Sequence, residues 1–176
     1  KSEDVLKTLD CLKKLGVNVK FNKKNCEIVG NGLNSFIFKN NLVLDAGNSG
    51  TAARLIASTL INSPKEIKIT GDNSLKKRDM KRIIEPLHEF GAVFKKNKGT
   101  LPLYIKGSKF IRPINYLELK GSAQCKSTVM LAALSAPGIT KLKCKKSRNH
   151  TEILYKNVLK LPIKIKKTKN FDYIEI

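Results

Sequence analysis

Apolar residues at Val5, Leu6, Leu9, Leu12 and Leu15 recur at helical spacing behind Ser2, and Glu3 and Asp4 occupy the first turn. This predicts a helix capped by Ser2, favoured by acidic residues at its positive end and stopped by Gly16. Val17 to Phe21 alternates as a strand, 23–25 forms a Lys-rich turn, and Cys26 to Val29 reads as a second strand. After a loop over 30–34, the short apolar runs Phe36–Phe38 and Leu42–Leu44 read as strands. Thr51 then opens an Ala-rich helix to about Leu60, broken by Asn62-Ser63-Pro64, and Lys65 to Thr70 alternates as a strand. Leu75 to Phe90 carries a helical pattern with Pro86 inside it and Gly91 at its end. Ala92–Phe94, a turn at 97–99 and Leu103–Ile105 follow as strand, turn and strand.

The same order returns further on. Leu117–Leu119 is a strand, Gly121 to Gln124 a turn, Cys125 to Leu134 a helix broken by Pro137-Gly138, and Lys141–Cys144 a strand. A helix over Thr151–Leu159, a strand over Leu161–Ile165, a Lys-rich turn and a strand over Tyr173–Ile176 close the chain. Gly16, Gly91 and Pro162 take corresponding places after the helix that precedes each closing pair of strands. The chain thus reads as repeated strand–helix–strand–helix–strand–strand units, the first lacking its opening pair. Helical starts in such a repeat point in like directions.

Composition narrows the class. With 176 residues and 41% hydrophobic content, the chain can bury one real core. No apolar run approaches the roughly 20 residues of a membrane helix, and there is no signal-peptide pattern. The formal net charge of +21 attracts polyanions, but the lysines are spread over every segment and form no single basic stripe. A nucleic-acid-binding module is the rival of another class, and stacking aromatics are few. Cys11, Cys26, Cys125 and Cys144 are far apart, with neither His88 nor His150 near them in sequence. No zinc site or disulfide framework follows, and reduced thiols in a cytoplasmic protein are expected.

Three places join a turn, a helix start and polar side chains. The first is Leu44-Asp45-Ala46-Gly47-Asn48-Ser49-Gly50-Thr51, with Arg54 one turn on. Backbone N–H groups and a helix dipole converge there, which favours an anion, and Arg54 adds a fork. An ordinary turn with a solvated Arg54 fits the same residues. The second is Gly71-Asp72-Asn73-Ser74 leading to Arg78; the third is Ser122-Ala123-Gln124, with Ser147-Arg148-Asn149-His150 after the next strand. This inventory suits two small anions with hydroxyls between them. It contains no carboxylate pair and no Ser–His–Asp set, and His150 reads as a cap or polar contact rather than a base.

Together these motifs resemble the 5-enolpyruvylshikimate-3-phosphate synthase family. The loop over 44–55 is similar to that family's phosphate-and-enolpyruvate loop. Gly71 to Met80, Glu85 to Ala92, Leu101 to Gly107, Gly121 to Ser127 and Ser147 to Glu152 resemble further family segments in the right order. The resemblance covers essentially the whole chain. It implies an α+β fold, an inside-out barrel-like domain of repeated βαβαββ units about a pseudo-threefold axis, with helices inside and sheets outside. It also implies a cleft between two such domains, where the enolpyruvyl group of phosphoenolpyruvate passes to shikimate 3-phosphate in chorismate biosynthesis without metal or cofactor. The UDP-N-acetylglucosamine enolpyruvyl transferase shares that fold and is the nearest enzyme rival; Ser122-Ala123-Gln124 and the Ser147–Glu152 segment favour the shikimate enzyme.

Carried over by motif, Asn48, Gly50, Thr51, Arg78 and Gln124 would contact phosphoenolpyruvate. Ser122, Ala123 and Gln124 would hold shikimate 3-phosphate, with Ser147 and Arg148 near its phosphate and Arg54 and His150 in support. Asp79 stands where the family usually has Pro and would place a carboxylate beside Arg78. Residues 1–176 are read as a single domain and a piece of a longer chain. The family's amino-terminal Lys-Ser segment and its catalytic partner domain are absent from it. Lys1-Ser2 directly precedes the first helix and is not that Lys-Ser pair. No catalytic acid or base is expected within these residues, and the isolated chain is expected to bind substrate weakly without turnover.

Overall fold

A computed structural model describes residues 2–22, 24–96 and 98–176; Lys1 and parts of the turns expected at 23–25 and 97–99 lie outside the described residues. The first helix, α1 (Glu3–Lys14), is capped as the sequence predicts: Ser2 Oγ accepts from the Val5 N–H. It ends with Val17 N donating to Leu12 O, closed by Gly16 at φ +86°. A hairpin of β1 (Asn18–Phe21) and β2 (Cys26–Val29) follows.

Two complete units come next. The first runs β3 (Leu42–Asp45), α2 (Gly50–Ser58), β4 (Ile67–Thr70), α3 (Lys81–Phe90), β5 (Val93–Phe94) and β6 (Leu103–Lys106). The second runs β7 (Asn115–Glu118), α4 (Ala123–Ala133), β8 (Lys141–Lys145), α5 (His150–Ile153), β9 (Lys164–Lys167) and β10 (Phe171–Glu175). Their sheets share one topology: β3-β4-β6-β5 in the first and β7-β8-β10-β9 in the second. In each, the opening strand pairs parallel with the next and the remaining pairs are antiparallel. The sequence repeat is therefore a structural one, with α1-β1-β2 matching the closing half of a unit.

Alternation places one face of each sheet inward. Leu44, Ile67, Ile69, Leu103 and Ile105 are buried from one sheet, and Leu142, Cys144 and Ile174 from the other. They cover helices that are small and apolar: Ala52, Ala53, Ile56 and Ala57 on α2 pack with Val129, Met130, Ala132 and Ala133 on α4 in one core cluster. Alanines let these two helices come close, so they lie innermost with the sheets outside. On the outer faces lysines lie over aromatic rings, Lys68 5.7 Å and Lys95 5.1 Å from Tyr104, and Lys143 4.8 Å from Phe171. Among the described residues no helix is long and apolar enough to cross a membrane.

Four expectations need correction. Phe36–Phe38 is not a strand: Phe36 and Phe38 do pack on the core, but among the described residues the segment makes a single backbone–backbone bond, from Ile37 N to Leu15 O at 3.0 Å, and Phe38 O accepts from the Lys65 side chain. The helix expected over 75–90 is split. Leu75–Lys77 is a 3-10 turn, Arg78 is extended at φ −74° and ψ 142°, and α3 begins at Lys81. Met80 N is drawn instead to Gly99 O at 2.8 Å, a long-range bond that local periodicity does not encode. The last helix is short and runs into a π-helical segment, Leu154–Val158. Finally, the counterpart of Gly16 and Gly91 is Lys160, left-handed at φ +53°, and not Pro162.

Candidate functional site

The turn after β3 is built from its own residues. Asp45 Oδ1 accepts from Gly47 N at 3.0 Å, and Gly47 takes φ +57°. That bond is the main cause holding the Asp45 carboxyl below its usual range, with Lys7 adding to it. Ser49 then caps α2, its Oγ accepting from Ala52 N at 3.2 Å. The turn after β4 is stitched to this one: Asp72 N donates to Gly47 O at 2.9 Å. A Cβ on Gly71 would lie 2.6 Å from Gly47 O, so the close approach of the two turns requires glycine there.

Side chains continue the stitching. Asn48 Nδ2 donates to Asp72 Oδ2 at 2.6 Å, and Arg78 Nη2 donates to Asn48 Oδ1 at 2.9 Å. Asp72 also accepts from Leu75 N at 2.7 Å. The Asn48 bond, then the Leu75 bond, hold the Asp72 carboxyl low. Arg54 donates to Gln124 Oε1 and, at 3.1 Å, to Asp79 O. Gln124 Nε2 in turn donates to Thr51 Oγ1 at 2.7 Å. Burial chiefly lowers the Arg54 pKa, with a contribution from the like charge of Arg78. Ser122 caps α4 by accepting from Cys125 N at 3.3 Å, and Ala123 is its first helical residue.

The result is a cleft of about 360 Å³ lined by Arg54, Arg78, Asp79, Arg82, Ser122, Gln124 and Cys125. The starts of α2, α3 and α4 surround it, each with N–H groups that lack an intrahelical partner. A Cβ on Gly50 would meet Arg54 Nη1 at 2.9 Å and Arg78 Nη1 at 3.2 Å. Two guanidinium groups therefore flank the bare face of Gly50. Asp79 does not neutralise Arg78. Its Oδ1 accepts from Lys81 N at 2.8 Å, and its Oδ2 lies 3.6 Å from Arg82 Nε, so the carboxylate turns toward α3.

Asn48, Gly50, Thr51, Arg54, Arg78, Ser122 and Gln124 are thus brought together. Ser147, Arg148 and His150 do not line the cleft. Arg148 and His150 are exposed, without a side-chain hydrogen bond or ion pair among the described residues, and Ser147 Oγ is buried without a hydrogen-bond partner. Sequence reasoning missed Arg82, which faces the cleft one turn beyond Arg78, and the bridging role of Asp72, although both sit in or beside a motif already singled out. It also missed a buried ion pair, Lys126 Nζ to Glu152 Oε1 at 2.5 Å. Among the described residues no group of three or more His, Cys, Asp or Glu converges as metal ligands.

Comparison with known proteins follows the same lines. The family model described as EPSP synthase (3-phosphoshikimate 1-carboxyvinyltransferase) matches residues 1–176. A 3-phosphoshikimate 1-carboxyvinyltransferase of Caldicellulosiruptor saccharolyticus is 40% identical over 159 residues, 89% of this chain and 36% of that protein. Its counterpart in Ruthia magnifica is 44% identical over 155 residues, 88% of this chain and 35% of that protein. A solved EPSP synthase from Acinetobacter baumannii superposes with a TM-score of 0.85 at 33% identity, over 99% of this chain and 39% of that one. The chain spans little more than a third of the length of these relatives.

Proposed function

The chain belongs to the EPSP synthase family, and from that premise we propose that it forms one wall of an enolpyruvyl-transfer site. A second domain outside these 176 residues supplies the other wall and the catalytic acid and base. One observation carries this reading. Arg54 and Arg78 both approach Gly50, and among the described residues neither forms an ion pair, the Asp79 carboxylate being engaged by α3. Like charges held that close in a cleft favour an anionic ligand, and forked guanidiniums suit carboxylate and phosphate oxygens.

In this reading Arg78, positioned by Asn48, and the N–H groups of Gly50 and Thr51 bind phosphoenolpyruvate. Gln124 touches both substrates. Ser122 uses its lone pairs to cap α4, which leaves its hydroxyl proton for shikimate 3-phosphate. Arg54 supports the site by tying Gln124 to the Asp79 carbonyl. The reaction adds the 5-hydroxyl oxygen of shikimate 3-phosphate to the central carbon of phosphoenolpyruvate, whose methylene carbon takes a proton. The resulting tetrahedral intermediate then loses inorganic phosphate and a proton to restore the double bond. This domain contributes position and charge stabilisation to both steps. Four unpaired cysteines fit a reducing, cytoplasmic setting.

Amide NMR on the 176-residue chain tests the binding. Shikimate 3-phosphate and phosphoenolpyruvate should shift Gly50, Arg78, Ser122 and Gln124, whereas UDP-N-acetylglucosamine should not. An unchanged spectrum with both shikimate-pathway ligands would overturn the reading. Phosphate release assays should stay at background; sustained turnover by the chain alone would show that it contains its own catalytic groups.

A further inference from the structure

Lys126 lies in the first turn of α4, two residues after Gln124, with its side chain 0% exposed; Glu152 lies in α5, two residues after His150, with its side chain 5% exposed. The adjacent residues, less buried, repeat the link, Ser127 Oγ and Thr151 Oγ1 sharing a hydrogen bond at 2.6 Å. Positions 126–152 and 127–151 thus run in opposite directions and rivet the two helix starts together. We propose that the Lys126–Glu152 pair is a positioning device that sets Ser147 and Arg148 against Ser122 and Gln124. This rests on the reading above and extends it to residues that do not line the cleft.

Three observations support it. First, α5 is a single turn running into a π-helical segment, so its own ladder holds the preceding residues weakly. Second, Arg148 and His150 have no side-chain partner among the described residues to fix their segment. Third, a buried ion pair is a poor way to gain stability, since well-packed apolar residues of equal volume serve as well or better. Glu152 Oε2 is moreover buried with no hydrogen-bond partner, so the carboxylate is not optimised for bonding. What the pair supplies that an apolar contact does not is register: one nitrogen and one oxygen meet at one distance.

The test replaces both members with apolar residues of similar size, K126M/E152L, and titrates wild type and variant with shikimate 3-phosphate by amide NMR. We expect a melting temperature within a few degrees of wild type, an affinity lower by about tenfold, and the Ser147 and Arg148 shifts lost while those at Ser122 remain. A variant that binds as wild type does would overturn the proposal, because a merely structural pair would be replaced without loss. Should the double variant fail to fold, Ser127→Ala decides. It removes only the neighbouring hydroxyl link and should weaken binding about threefold, again at Ser147 and Arg148; unchanged binding would again refute the role. Absence of any shift in the wild-type chain would strike the substrate reading itself, whereas an undiminished variant strikes only the positioning role.

Discussion

At the scale of single residues, Gly50 decides how near two guanidiniums come to the helix start. An added methyl would sit 2.9 Å from Arg54 Nη1 and 3.2 Å from Arg78 Nη1, both tips of flexible side chains. Gly50→Ala should therefore leave the urea midpoint nearly unchanged. Phosphoenolpyruvate affinity should fall about tenfold, the equivalent of one hydrogen bond to a charged group. Isothermal calorimetry beside a denaturation curve separates the two effects. Lys126→Met alone behaves differently: it leaves Glu152 buried and unpaired and should cost about 3–5 kcal/mol in the same curve. That Asn48, Gly50 and Arg78 would lie together was legible in the sequence, because each belongs to a recognisable turn or helix-start motif. Lys126 was not readable. A lysine in an Ala-rich helix looks like a solvated cation until a carboxylate from a distant segment is seen to bury it.

At the scale of elements, two helix ends compare one backbone position in two settings. Gly16 has φ +86°, and a Cβ there would lie 2.4 Å from the Ile37 carbonyl oxygen. Gly16→Ala should lose at least about 2 kcal/mol, through strain and a backbone clash that cannot rotate away. Lys160, at φ +53°, is the same position filled by a residue with a Cβ. Lys160→Gly should gain about 0.5–1 kcal/mol, relief of the left-handed backbone being partly offset by a freer unfolded chain. Chemical denaturation of both variants checks the pair. Strands and helices were legible wherever alternation or helical spacing met its own local stop signal. They were illegible where a distant partner intervened: Gly99 draws Met80 out of a helix, and Leu15 holds Ile37 with a bond that never becomes a ladder.

At the scale of the molecule, burial governs the thiols. Cys11 and Cys144 are pushed up to about 11, in each case mainly by burial, and Cys125 is raised by the same cause. Cys26 alone is exposed. At neutral pH a thiol reagent should modify Cys26 quickly and the other three only on unfolding, with mass spectrometry locating the adduct. Because the folded thiols ionise later than the 9.0 of an unfolded one, the folded state binds more protons between about pH 9 and 11. Stability is therefore lost as pH rises through that window, and the slope should flatten in C11A/C144A.

The shared strand order of the two large sheets bears on how the chain acquires its shape. Each sheet is drawn from one uninterrupted stretch, 42–106 and 115–175, with no strand borrowed from the other. Pairings of modest sequence separation close small loops, so each stretch can collapse as its own cooperative unit before they meet. The seam between them is where α2 meets α4, and Thr51 and Gln124 sit on it. The cleft is complete only where the two stretches dock, because Arg54 and Arg78 come from one and Ser122 and Gln124 from the other.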